Sequence, residues 1–169
     1  MPKQINQRKP PTGLSRLFYR SPIWLYRWGL GWLLGKRFLL INHVGRKSGL
    51  PRQAVVEVLA YDREQNAHYV AAGFGPTSQW YQNLLVTPEV TIVIGRQQLA
   101  VTAVPLTPPE AGAAILDYAR RHPTAIKNLA RMVGYEVDGT EADYQALGEQ
   151  GLIPVIRFDP RSSKRNKTQ

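Results

Sequence analysis

The stretch FLLINHVGRKSGLPRQAVVEVLAYDREQNAHYVAA, residues 38–72, decides the fold. Phe38 to Val44 is a strand-like apolar run that ends at a basic turn, Gly45-Arg46-Lys47-Ser48-Gly49. A second strand, rich in valine, is expected from Arg52 to Tyr61. Asp62 to Asn66 is polar and turn-like, and His68 to Ala72 reads as a third strand. Short β-rich runs separated by tight turns predict an antiparallel meander.

Working outward, the loop Gly73-Phe74-Gly75-Pro76-Thr77 leads into a short helix expected over Ser78 to Val86. Strands at Glu89–Ile94 and Gln97–Val104 flank Gly95-Arg96, a two-residue hairpin signal. Pro108 and Pro109 open a helix that places Ala111, Ala114, Ile115, Tyr118 and Ala119 on one face. Pro123 restarts a second helix to about Val133, and Thr140 to Leu147 forms a third, with Thr140 and Asp143 as a partial capping box. Ile153 to Phe158 supplies a closing strand. Six antiparallel strands with helices inserted late define an α+β chain built on a barrel or strongly curled sheet.

Upstream, residues 1–13 are polar, basic and interrupted by prolines, which predicts a loose arm reaching to about residue 20. Ser21 as N-cap and Pro22 as first helical residue predict an amphipathic helix over 21–35, stopped by Gly35. On that helix Trp24, Trp28 and Trp32 form one stripe. The stripe, set beside Arg16, Arg20, Arg27, Lys36 and Arg37, suits either an anionic membrane surface or a structural lid on the barrel. It is too short to span a bilayer, and no signal-peptide pattern accompanies it. One domain is expected over 21–160, with a helical insert at 108–148 and a basic tail at 161–169.

The net charge of +10 is unevenly spread. Glu57 is the first acidic residue, and eleven cations precede it; the rest of the chain carries eleven cations against twelve anions. The first third therefore seeks an anion, whether a phosphorylated cofactor, acidic lipid or nucleic acid. Nucleic acid is disfavoured because no recognition-helix or RNA-binding aromatic signature is present. Cysteine is absent, which removes disulfides, thiol nucleophiles and thiolate metal sites and suits a reducing cytoplasm. His43, His68 and His122 are far apart and lack metal-ligand spacing. Neither a nucleophile elbow nor a dinucleotide fingerprint occurs, and Gly45–Gly49 lacks the phosphate-loop order.

The positive signal is Gly45-Arg46-Lys47-Ser48-Gly49-Leu50-Pro51-Arg52. Two glycines permit a tight turn, and Arg46, Lys47, Arg52 and the Ser48 hydroxyl converge on it. Fork-shaped arginines beside a point-charge lysine suit a phosphate or polycarboxylate; a solvated basic hairpin has the same composition.

That motif, followed by Trp80-Tyr81-Gln82-Asn83-Leu84, Thr87-Pro88-Glu89-Val90-Thr91-Ile92-Val93-Ile94-Gly95 and Ile153-Pro154-Val155-Ile156, resembles the nitroreductase family of deazaflavin-dependent oxidoreductases. Members are split β-barrels, so the resemblance implies a six-stranded antiparallel split barrel with peripheral helices. It also implies binding of coenzyme F420 (an 8-hydroxy-5-deazaflavin) and hydride transfer to a small conjugated or nitro-type acceptor. Arg46, Lys47, Ser48 and Arg52 would hold the phosphate and polyglutamate tail. Gln53 to Glu57, including Val55 and Val56, would run beside the coenzyme. Ala71, Ala72, Gly73 and Phe74 would offer backbone amides, Gln79, Trp80, Tyr81 and Asn83 a wall, and Tyr144 a side chain near the ring.

For Trp80 and Tyr81 plain helix–sheet packing is the other reading. Many relatives carry Ser-Lys where this chain has Gly73-Phe74, so one phosphate contact is replaced by an aromatic ring able to stack. The insert from Pro123 to Asp143 is also longer than in nitroimidazole-reducing relatives. No side chain is assigned as a catalytic acid or base, because hydride chemistry resides in the cofactor. FMN is the alternative cofactor, and a non-catalytic flavin- or membrane-surface-binding protein the alternative class. A homodimer is expected from the resemblance and from strand edges that a monomer would expose. The expected location is the cytoplasm, with peripheral contact to the inner membrane face.

Overall fold

The computed structural model describes residues 1–5, 23, 26–28 and 30–161. Arg16, Arg20, the Ser21-Pro22 helix start, Trp24 and the tail from residue 162 lie outside the described residues.

Six strands close into an antiparallel barrel: β2 (Phe38–Val44), β3 (Pro51–Asp62), β4 (Ala67–Ala71), β5 (Glu89–Ile94), β6 (Gln97–Pro105) and β8 (Val155–Pro160). Around the barrel the order is β2-β3-β4-β8-β6-β5. Each strand lies within two residues of its sequence expectation, because the alternating pattern and flanking turns are strong local signals. Closure comes from β2 pairing with β5, Leu40 opposite Val93 and Asn42 opposite Thr91. A closed barrel leaves no open sheet edge, so the edge argument for a dimer does not hold.

Period-two alternation sends Leu39 and Ile41, Val56, Val70, Val90 and Ile92, Val101, and Ile156 and Phe158 into the barrel. Helix α1 (Gln79–Val86) adds Leu84 to this cluster, with Trp80 and Tyr81 packed against it. Tyr81 is thus half-buried packing, and Trp80 meets it edge-on at 6.3 Å.

A second apolar cluster forms on the other face of β3, β4 and β8. There Leu59, Ala71 and Val155 meet helices α2 (Pro108–Arg121), α3 (Pro123–Met132) and α4 (Glu141–Glu149). The expected inner stripe of α2 is confirmed at Ala111, Ile115, Tyr118 and Ala119. Its start is capped by the Glu110 carboxylate, which accepts from the Thr107 N–H at 2.9 Å and hydroxyl at 2.7 Å. At α4 the capping box is only half made. The Thr140 hydroxyl accepts from the Asp143 N–H, but the Asp143 carboxylate turns to the Asp138 N–H.

Two expectations need correction. The N-terminal arm is not loose throughout: β1 (Lys3–Gln4) pairs antiparallel with β7 (Tyr135–Glu136), and the Met1 ammonium pairs with the Asp143 carboxylate. The 21–35 segment is not one helix either. It is helical at Ile23, Tyr26 and Arg27, turns at Trp28, and resumes as a 3-10 turn over Gly31–Leu34. Gly31 has no Cβ, so the Tyr26 ring lies against it, and the Tyr26 hydroxyl donates to the Phe38 carbonyl at 2.9 Å. The break places Trp28 and Trp32 on different pieces, which ends the single indole stripe. Gly35 does terminate the segment, at φ 59°.

Candidate functional site

The basic turn lies at the end of the β2–β3 hairpin, where Val44 faces Pro51. Gly45 N–H donates to Leu50 O at 2.9 Å, and Gly49 N–H donates back to Gly45 O at 2.8 Å. Gly49 has φ +67°, a conformation favouring glycine, and a Cβ on Gly45 would strike the Ser48 hydroxyl. The Ser48 hydroxyl accepts from Leu50 N–H at 3.3 Å. Gly49 is thus required by the backbone of the turn, while Gly45 leaves room for the Ser48 hydroxyl.

Helix α1 fastens this turn. Asn83 Oδ1 accepts from the Arg46 backbone N–H at 3.1 Å and from Arg46 Nη1 at 3.0 Å. Gln79 Oε1 accepts from the same Nη1 at 3.0 Å. Asn83 is 5% exposed and also meets His43, 7% exposed, with Nδ2 3.1 Å from His43 Nδ1. Because the guanidinium can only donate, Asn83 Oδ1 faces it and Nδ2 donates to the imidazole. The chain His43–Asn83–Arg46–Gln79 joins the barrel interior to the surface.

His43 is the residue that sequence reasoning missed. It continues the inward row of Leu39 and Ile41, and one polar residue on an apolar strand face was the available signal. Burial pushes His43 down to about 4; a Val44 backbone bond opposes this and the Arg52 charge adds to it. Burial also lowers His68, with Lys36 adding to the effect. Both imidazoles are therefore harder to protonate in the folded chain than in the unfolded one, whose histidines take up protons below 6.5. Stability is expected to be full above pH 6.5 and to fall steadily toward about 4. Urea midpoints across that window test this; a flat profile contradicts it.

Among the other expected site residues, Gln53 is on the outer face of the hairpin, its amide donating to Asn42 at 2.8 Å. Val56 points into the barrel, which removes its side chain from any outer-face site. Glu57 accepts from the Tyr118 hydroxyl at 3.0 Å and from Arg37 at 3.2 Å, tying α2 to β3. Burial and the Glu57 charge drive the Tyr118 hydroxyl well above its ordinary range.

Ala71 and Ala72 are buried, and Gly73 packs close to Leu129 and Met132 of α3. Phe74 is half-buried at the loop leading to α1. Tyr144 is buried in the helical cluster, its hydroxyl near Gly139. The structure thus brings together Arg46, Gln79 and Asn83, and places Tyr144 in another layer.

At the opposite end of the barrel, a cleft of about 420 Å³ is lined by Tyr26, Gly31, Trp32, Val93, Gly95 and Arg96. Arg96 sits 5.2 Å from the centre of the Trp32 ring. Among the described residues no group of His, Asp or Glu is arranged to hold a metal ion.

The closed six-stranded barrel with its peripheral helices is the split-barrel architecture. The F420-H2 dependent reductase FDR-A shares it at TM-score 0.50 and 20% identity, covering 74% of this chain and 96% of that one. The heme storage protein HutZ of Vibrio cholerae matches at TM-score 0.51 and 14% identity, over 82% and 92%. These likenesses show the fold alone. Residues 24–137 match the F420H(2)-dependent quinone reductase family, and the chain belongs to it. F420H(2)-dependent quinone reductases of Mycobacterium tuberculosis and, as a putative member, Mycobacterium bovis are 36% identical over 85 residues, 48% of this chain. The chain spans about half the length (52%) of these curated relatives. The family match ends at residue 137, before Tyr144.

Proposed function

We propose that this protein is an F420-dependent oxidoreductase that binds the reduced deazaflavin through the basic turn and reduces a conjugated, quinone-type acceptor. One observation carries the reading. Among the described residues, Arg46, Lys47 and Arg52 stand within seven residues on one turn with no carboxylate in ion-pairing distance of any of them, whereas Arg37, Arg120, Arg121, Arg157 and Arg161 each have one; the other described cations without one are scattered along the chain. Three unneutralised cations on a turn with two glycines fit a ligand bearing phosphate and several carboxylates. Reduced deazaflavin supplies the hydride when bound. The turn's part is to hold the anionic tail, and the outer face of β3 at Gln53 and Val55 is the adjoining surface for the ring. FMN offers a phosphate but no polyglutamate tail, so it uses fewer of the cations.

The test is turnover. With reduced F420 and a soluble naphthoquinone, the protein is expected to restore the visible absorbance of oxidised coenzyme, with a nitroaromatic as comparison acceptor. No oxidation with either acceptor contradicts the reading.

A homodimer is part of this proposal. Its support is the exposed apolar set at the turn end of the barrel, Val44, Leu50 and Val86, since monomers seldom leave such groups together. Sedimentation is expected to give twice 19.0 kDa; a monomer mass contradicts it. No helix among the described residues is long and apolar enough to cross a membrane. Peripheral contact with anionic lipid is supported by Trp28 and Trp32, 72% and 44% exposed, with Arg96 over the Trp32 ring. Salt-reversible co-sedimentation with anionic vesicles checks it, and protein left in the supernatant contradicts it.

A further inference from the structure

We infer that Asn83 and Gln79 are positioning residues that fix Arg46 without neutralising it, and that the His43 ring nitrogen holds Asn83 in the orientation this requires. The inference rests on the proposed anion-binding role of the turn and assigns its parts. Arg46 is anchored by two side-chain amide oxygens, each at 3.0 Å, not by a carboxylate. An amide oxygen accepts a hydrogen bond as a carboxylate does, but contributes no net charge, so Arg46 keeps its full field toward a ligand. The same Asn83 oxygen also accepts from the Arg46 backbone N–H, which locks the turn together with its side chain.

Asn83 can serve this way only with its oxygen toward Arg46, so its nitrogen must find an acceptor on the buried side. His43 Nδ1 is that acceptor, which puts the imidazole proton on Nε2. Charged groups around His43 are Arg52 across the hairpin and Arg46 beyond Asn83. Helix α1 contributes no charged residue, and Glu89 of the neighbouring β5 is paired with Arg161. A carboxylate at position 83 therefore changes two properties together. It neutralises Arg46, and it faces His43 Nδ1 with an acceptor, which favours the protonated imidazole.

Three variants test this: Asn83→Asp, Gln79→Glu and His43→Phe. Gln79 is exposed, so Gln79→Glu introduces its charge without entering the core. F420 affinity is expected to fall about tenfold or more in Asn83→Asp and Gln79→Glu, the scale of losing one charged hydrogen bond. The salt dependence of binding should become shallower in both. Imidazole NMR is expected to show the Nε2–H tautomer in the natural chain, and His43 titrating far above about 4 in Asn83→Asp. His43→Phe should loosen the turn and lower affinity without flattening the salt dependence.

Unchanged affinity in both carboxylate variants overturns the inference, as does an Nδ1–H tautomer or an unmoved His43 titration. Failure of the natural chain to bind F420 at all instead defeats the proposed function, while the NMR arm still decides whether the relay exists.

Discussion

A chain carrying both Lys47→Ala and Arg52→Ala is expected to bind F420 at least a hundredfold more weakly while keeping its fold. Both residues are exposed, and neither takes part in the hydrogen bonds that fasten the turn. Removing them therefore subtracts positive charge from the site and little from stability. Each charged hydrogen bond is worth about 1.5–3 kcal/mol, and about 1.4 kcal/mol is tenfold, so two such losses exceed a hundredfold. Arg46→Ala acts differently, because it also frees Asn83 and Gln79 and unfastens the turn from α1. It should weaken binding and lower stability together. Urea midpoints beside binding titrations separate the two; equal loss of stability in the double variant contradicts this division of labour.

Gly148→Ala is expected to be the most damaging single methyl in the helical layer. A Cβ there would come within about 2.5 Å of the Ala111 carbonyl and the Gly112 nitrogen, where α4 crosses α2. Backbone cannot rotate aside as a side chain can, so the helices must separate and open the cluster around Ile115 and Leu147. Overpacking of this kind costs about 1–3 kcal/mol, and a backbone clash belongs at the upper end. Gly112→Ala is the control. Its Cβ would meet the flexible Glu149 side chain at 2.6 Å and Gln145 O at 3.0 Å, so a smaller loss is expected. Equal urea midpoints for the two variants contradict the close-crossing account.

The strands were legible because each carries its signal locally. Gly95-Arg96 flanked by alternating apolar residues became the β5–β6 hairpin, and the valine-rich run became β3. A barrel or strongly curled sheet was legible, but not which strands close it, since the pairing of Leu40 with Val93 depends on sheet curvature that no single segment records. Equal spacing of indoles presumes a continuous helix, whereas Trp28 lies in a turn and Trp32 in a separate 3-10 turn. β1 and β7 are two residues each, too short to leave a periodic trace.

The site divides in the same way. The cations of the turn stand together in sequence, so their charge was readable there. Their fastening joins residues 37 and 40 positions apart, Arg46 to Asn83 and Asn83 to His43, and only the docking of α1 onto the barrel brings these together. Tyr144, expected near the ring by resemblance alone, is carried by the C-terminal helices and buried in their cluster.

The most direct measurement is calorimetric titration of the natural chain with F420 and, separately, FMN, each at low and high salt. The account expects F420 to bind more tightly than FMN and to lose more affinity as salt rises, because its tail engages more of the turn's cations. FMN binding as tightly as F420, or F420 affinity indifferent to salt, would contradict it.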